Sequence, residues 1–378
     1  MQKIASSRNT KRITRRDFIK TASVGAVALL AACQTRQLPI STPMPEAAGL
    51  VSDRPVVSIV KIKRGKIETA VEAAIDLLGG INNVTQGKER IMLKPNLVSN
   101  DPRAVTKPQV IRSLAELMKK AGNDVSIGEG SAAAGGFNVI DSTTYRTKNP
   151  ETLDAMQQYI FDELGYTELS RSLDMPLINL HTGKMVDVEL PGGLAYQNLT
   201  LHHSLTEIDM LCSVPMMKTH TLATVTLGMK NLIGLYPGAI YSTVRAGVHD
   251  HAADAGSPGI AFETIDMVKA NKLGLVVIDG STAMEGDGPG NGSPLPMNVI
   301  IAGTNPLATD MVAASVMGFE PEEIPTFTWA NKVGMLPQNL DEIEIRGEEI
   351  SGVRRRFKRP RLNDWNDIRS VWASQELP

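Results

Sequence analysis

The chain has 378 residues, with 39 Lys and Arg against 41 Asp and Glu, a net charge of −2, and two cysteines. That balance argues against nucleic acid as a partner, because a phosphate backbone is bound by clustered cations. Two thiols exclude a disulfide framework and a cysteine-ligated iron–sulfur cluster.

Residues 1–33 read as a targeting segment, to be set apart from the fold. The run Thr14-Arg15-Arg16-Asp17-Phe18-Ile19-Lys20 resembles a twin-arginine export signal. The apolar stretch at 22–32 is too short to anchor a mature protein across a bilayer. It closes on Leu30-Ala31-Ala32-Cys33, which resembles a lipobox, whose cysteine is acylated and becomes the new N-terminus. The expectation is a protein handled by the twin-arginine machinery, exported already folded, and held on the periplasmic side by lipid on Cys33. Gln34 stands where an Asp commonly retains such proteins, which favours the outer over the inner membrane. Without its first 32 residues the chain keeps 32 basic and 40 acidic residues, a net charge of −8. The remaining thiol, Cys212, lies in an apolar run and is expected to be buried and inert.

Residues 34–55 are rich in Pro, Ser and Ala without periodicity and read as a flexible tether. Residues 56–350 are long enough for one large domain, and 351–378 form a basic extension. Apolar runs at 56–62, 90–93, 124–127 and 208–214 read as strands. Ile67, Val71, Ile75 and Leu78 mark a helix face that ends at Gly79-Gly80, and Val110, Ile111, Leu114 and Met118 mark another that ends at Gly122. Further helices are expected at 151–164, 222–235 and 259–270, and strands with a turn at Gly183 within 176–190. The β-α-β-α-β order predicts an α/β fold, a mostly parallel sheet flanked by helices, with a small β insertion at 176–190.

The chain centres on residues 275–310. The apolar run 275–278 is predicted to end on Asp279-Gly280, where open α/β sheets bind ligands. A loop of acids and glycines follows, from Met284-Glu285-Gly286-Asp287 to Gly292. A second strand is expected at 298–302, and Asn305-Pro306 reads as a helix N-cap and first turn. Lys94, Glu129, Lys218, His220 and Asp279 all stand at predicted strand ends, which a parallel sheet gathers on one edge. Val248-His249-Asp250-His251 with Asp254 is a weaker candidate for a metal, with a solvated loop as the alternative. His202 and His203, on a predicted strand, should face opposite sides. The basic run from Arg354 to Arg361, followed by Trp365, Ile368 and Trp372, reads either as a segment touching anionic lipid or as a short element packed on the domain.

Five segments together resemble the domain-of-unknown-function 362 family of bacteria and archaea, over about residues 56–347. They are Leu93-Lys94-Pro95-Asn96, Pro215-Met216-Met217-Lys218-Thr219-His220, Met229-Lys230-Asn231-Leu232-Ile233-Gly234, Asp279-Gly280 with Met284-Glu285-Gly286-Asp287-Gly288-Pro289, and Asn305-Pro306-Leu307-Ala308-Thr309-Asp310. The resemblance supplies no reaction. Some relatives carry ferredoxin-like modules, for which this chain lacks the cysteines.

Three functions remain open at this point. The first is an enzyme acting on an anionic small molecule with a divalent metal. Asp279, Glu285 and Asp287 would hold the cation, and Lys94, Asn96, Lys230 and Asn231 would bind the anion. Lys218 and His220 would stand at the chemistry, His220 as general acid or base. The second is a tethered binding protein for an anionic ligand, and the third a redox or cofactor-carrying protein folded before export. Lys94, Lys218, His220, Asp279 and Glu285 are expected to line one cleft.

Overall fold

The computed structural model describes residues 54–363 and 377. Arg15, Arg16, Cys33 and all but the last two residues of the tether lie outside the described residues, as do Trp365, Ile368 and Trp372. In chain order the strands are β1 (Val56–Lys61), β2 (Arg90–Pro95), β3 (Asp124–Glu129), β4 (Val139–Ile140), β5 (Thr143–Thr144), β6 (Leu177–Asn179), β7 (Met185–Glu189) and β8 (Asn198–His202). There follow β9 (Met210–Val214), β10 (Met216–His220), β11 (Thr224–Thr226), β12 (Leu273–Glu285), β13 (Ser293–Leu295), β14 (Val299–Gly303) and β15 (Glu344–Gly347).

Eleven strands make one sheet along the path β15-β1-β14-β12-β9-β2-β3-β6, with β10 and β13 joined to β12 and β11 joined to β10. The run from β12 through β9, β2 and β3 to β6 is parallel, while β14 runs against both β12 and β1. The fold is therefore α/β with a mostly parallel sheet, and the C-terminal ends of β2, β3, β10 and β12 lie on one edge. Both faces are covered. Side chains alternate along a strand, so Ile91, Leu93, Leu275 and Val277 join one core with the helix Pro108–Lys120. Val276 and Ile278 join the opposite core with the helix Pro306–Val316. That second helix is buried from Leu307 to Val316, as a helix apolar all round must be. Among the described residues no helix is long and apolar enough to cross a membrane.

The structure departs from the sequence reading at three places. The central strand does not stop at Asp279. It continues to Glu285, because it changes partner from β9 to β10 and gains β13, with Met216 opposite Asp279 and Ala283 opposite Leu295. The segment 222–235 is not one helix. Thr224–Thr226 folds back on β10, as β-branched residues favour, and only Gly228–Asn231 and the 3₁₀ turn Leu232–Leu235 are helical. The small β insertion is real but displaced: Leu177–Asn179 is the edge strand of the main sheet, and the two-stranded unit pairs β7 with β8.

Candidate functional site

A cavity of about 780 Å³ opens at this edge of the sheet. Its floor is formed by the ends of β2, β3 and β10, its walls by residues 230–234 and 244–249, and its rim by residues 287–291 with Arg361 and Asn363.

Lys94 sits in the floor, fully buried. Its ammonium donates to both oxygens of Glu129 at 2.9 Å, to the Pro95 carbonyl at 3.0 Å and to Asn231 Oδ1 at 3.3 Å. The Glu129 carboxylate also accepts from the Leu97 and Gly130 amides, at 3.0 and 2.8 Å. Burial pulls the Lys94 pKa down, and the charge and hydrogen bond of Glu129 pull it back up. The pair has room because residue 234 is glycine: a Cβ there would sit 2.6 Å from Glu129 Oε1. Asn231 ties this floor together. Its amide group donates to the Lys94 carbonyl and to Ser213 Oγ, both at 3.1 Å, and its oxygen accepts from Asn96 Nδ2 at 3.1 Å. Asn96 Oδ1 is buried with no hydrogen-bond partner among the described residues, an open acceptor beside the cavity.

The short helix carrying Lys230 and Asn231 is fixed from below. Asp310 accepts from the Gly228 and Met229 amides at 2.7 and 2.8 Å, satisfying the unpaired donors of a helix start. Burial pushes its carboxyl up to about 7 against the pull of those two amides. Lys230 is half-buried, lines the cavity, and makes no hydrogen bond or ion pair among the described residues. Burial first, then the charges of Arg245 and Lys94, lower its pKa to about 7. Its side chain stays partly open to the cavity, which tempers that desolvation.

Arg245 is the second cation of the wall. It is buried, with φ +59°, beside Val244 at +48° and Ser242 at +70°. Such backbone costs on the order of 1–3 kcal/mol per residue and persists only where surrounding contacts enforce it. Here they do: Thr243 N donates to the Thr147 carbonyl and Val244 N to that of Ala132. The guanidinium donates to the carbonyls of Gly130, Ser131, Ile233 and Gly234 and forms no ion pair among the described residues, the Glu129 charge acting on it only from a distance. Burial lowers its pKa to about 10.

His220 Nδ1 accepts from the Leu222 and Ala223 amides at 3.0 and 3.3 Å. Those bonds assign the ring proton to Nε2. Burial, reinforced by Lys230 and Lys218, holds the pKa well below the ordinary histidine value. His220 is thus a neutral N–H donor toward the cavity, and the general-base role expected from sequence is not the one its geometry offers. His249, also on the cavity, is lowered to about 3 by burial and by Lys230 and is neutral as well.

Of the other expected site residues, Lys218 is fully buried behind the wall. It donates to the Ala104 carbonyl at 2.7 Å and the Pro289 carbonyl at 3.2 Å, pinning the rim loop rather than facing the cavity. Desolvation, then the Lys230 charge, lowers its pKa to about 7.

The three acids assigned to a metal do not converge. Asp279 accepts from Lys107 N and Ser281 N, both at 2.9 Å, and so caps the helix Pro108–Lys120. Glu285 accepts from Lys358 N at 2.8 Å. Asp287 reaches the cavity rim but is bound by the Arg361 amide and guanidinium, the closest contact 2.7 Å. Their oxygens serve backbone amides of three separate segments, and no group of three His, Cys, Asp or Glu among the described residues is placed to hold a metal. Glu285 and Asp287 instead fasten the basic extension along the domain.

The residues from 249 to 254 do not make a metal site either. They lie on the helix Ala246–Asp254, where positions two apart diverge. Asp250 pairs with Arg146 at 2.8 Å, and His251 stacks on Tyr196 with centroids 4.0 Å apart. His202 bonds Ser204 at 2.8 Å, away from the cavity.

Sequence reasoning missed Arg245, for which no local pattern announces a left-handed arginine, and the capping role of Asp310. The latter had a signal: the helix start at Asn305-Pro306 places Asp310 one turn in, on a helix too apolar to expose it.

The sequence model of the family described as "Domain of unknown function (DUF362)" matches residues 91–315. A thylakoid-associated protein, sll1697, of Synechocystis sp. is 26% identical over 277 residues, covering 72% of this chain and 77% of its own. Two solved structures are similar. The lactate racemase apoprotein of Thermoanaerobacterium thermosaccharolyticum has a TM-score of 0.41 at 15% identity, covering 71% of this chain and 59% of that one. A protein of Thermotoga maritima has a TM-score of 0.36 at 12% identity, covering 65% and 56%. The chain thus spans less than two thirds of either solved structure's length.

Proposed function

The chain belongs to the family described as "Domain of unknown function (DUF362)", whose matched span carries Lys94, Lys230 and Arg245, and on that premise we propose that the cavity binds a small organic anion. One observation carries this reading. Among the described residues both carboxylates that line the cavity, Glu129 and Asp287, are already paired, with Lys94 and Arg361, while Lys230 and Arg245 form no ion pair. Burying cations without a counter-charge costs several kcal/mol per ion, and a bound anion would supply that charge. His220 Nε2–H and the open acceptor Asn96 Oδ1 add one donor and one acceptor, enough to orient a polar ligand.

The proposal includes place. The Arg15-Arg16 signal and the box ending at Cys33 favour export and a lipid anchor, and the thylakoid association in the name of the Synechocystis relative accords with a protein kept near a membrane. Changing Cys33 to Ala should move the full-length protein from the membrane to the soluble fraction; unchanged fractionation counts against the anchor.

Titration calorimetry with oxalate, pyruvate and inorganic phosphate tests the cavity. Binding near neutral pH should draw protons from buffer, because an anion beside Lys230 favours its charged form. Lys230→Gln should weaken binding about tenfold or more, equivalent to about 1.4 kcal/mol. No binding of any probe at millimolar concentration, or equal affinity in the variant, would overturn the reading.

A further inference from the structure

The three lysines gathered at this edge have different fates. Lys94 is spent on Glu129, and Lys218 is enclosed by two carbonyls. Lys230 alone of the three is open to the cavity without a partner among the described residues. Building on the anion-binding reading, we propose that Lys230 is an amine nucleophile that condenses with the carbonyl carbon of a small 2-oxo acid held in the cavity.

The surroundings supply what this step needs. An amine attacks only when unprotonated, and it is brought to that state by desolvation and by neighbouring cations. Lys230 has both: it stands on a buried short helix, and Arg245 and Lys94 push against its charge. Glu129 does not offset them, since it is bound to Lys94 and to two amides. His220 and His249, which face the same space, are neutral and add no competing charge. A lysine at its ordinary pKa of about 10.4 holds roughly one free amine in a thousand at pH 7.5; one lowered to about 7 in the empty cavity keeps a far larger free fraction, even where the bound anion draws it part of the way back to its charged form.

The substrate class follows from the rest of the lining. Once Lys230 is neutral, Arg245 is the lining cation without an ion pair among the described residues, and its four bonds to carbonyls leave one of five N–H groups uncommitted among them. That group and its charge suit a carboxylate. His220 Nε2–H suits the adjacent carbonyl oxygen, and Asn96 Oδ1 suits the hydroxyl that replaces it.

The step balances without a further reactant. The amine lone pair forms the C–N bond as the carbonyl π pair moves to oxygen, and the proton shed by nitrogen ends on that oxygen. Loss of the hydroxyl with the remaining N–H proton as water leaves the imine.

The full chain is incubated with pyruvate, oxaloacetate or 2-oxoglutarate, reduced with borohydride, and mapped by peptide mass spectrometry. The reduced adduct should fall on the peptide containing Lys230, at about tenfold or greater yield over any other lysine, with trapping that rises through pH 7 rather than near pH 10. Lys230→Arg should abolish it. Should that variant fail to fold, the mapped position in the unaltered chain decides the matter. Calorimetry with the same acid, without borohydride, separates the two readings. Binding without an adduct at Lys230 refutes the nucleophile and leaves the anion site standing, and absence of both refutes both. An adduct spread evenly over surface lysines also refutes the proposal.

Discussion

Changing Glu129 to Gln should be among the most damaging single substitutions in the domain. The carboxylate takes four donations in a site with no exposed surface to speak of: two from Lys94, one from Leu97 N and one from Gly130 N. An amide in its place turns one oxygen into a donor. Whichever way it rotates, a backbone N–H then faces another N–H, at about 1–3 kcal/mol for the lost acceptor. Lys94 also loses its one ion-pair partner among the described residues, and breaking a buried pair from one side costs about 3–5 kcal/mol in all. Lys94 can lessen the loss by shedding its proton, a course its lowered pKa already prepares. The penalty should therefore shrink as pH rises. At roughly 2 °C per kcal/mol for a chain of this size, the melting temperature should fall by about 6–10 °C near pH 7. Thermal unfolding followed by circular dichroism, on the single variant and on Lys94→Met with Glu129→Leu, is the assay. The double variant should recover part of the loss, because it leaves no unpaired charge. A fall of less than about 2 °C in the single variant, or no recovery in the double, would mean that the pair is not what holds the cavity floor.

Gly234→Ala would put a methyl group 2.7 Å from Lys94 Nζ; the expected cost is about 1–3 kcal/mol in urea unfolding, with anion affinity lost as the floor shifts. Asp310→Asn keeps one acceptor where two amides need two, so about 1–3 kcal/mol of stability should be lost, and calorimetry should show weaker anion binding because Lys230 and Asn231 ride on that helix. The ligand-free protein should gain stability as pH rises from about 7 toward 10.5: the folded state releases protons from Lys218 and Lys230 near 7 while the unfolded chain holds them to the ordinary lysine value, and the state binding more protons is disfavoured as pH rises. Melting temperatures that fall across that window would contradict the assignment. Asp287→Asn should leave stability unchanged on adding magnesium, manganese or calcium and instead speed proteolysis near Arg361, because the acid holds the extension rather than a cation; a metal-dependent shift lost in this variant would reverse that conclusion.

The sequence by itself determined the class of fold and much of the cationic lining. Alternation in Ile91-Met92-Leu93 and in Leu275-Val276-Val277-Ile278 requires a sheet covered on both faces. A parallel sheet then carries the residues at the ends of β2, β3 and β10 to one edge, which is why the sequence alone groups Lys94, Glu129 and His220. The tertiary structure alone decided what those residues do, because each role is set by a partner remote along the chain. Glu129 neutralises Lys94 from 35 residues away, Asp279 caps a helix from 172 residues away, and Asp310 anchors the Lys230 turn from 82. A carboxylate committed to a backbone amide and one free to bind a cation are the same letter in sequence, and so are a lysine paired in the floor and one left open to the cavity. Long-range contacts separate them: strand pairing lengthens β12 past Asp279, and backbone bonds to Thr147 and Ala132 hold the left-handed turn at Arg245.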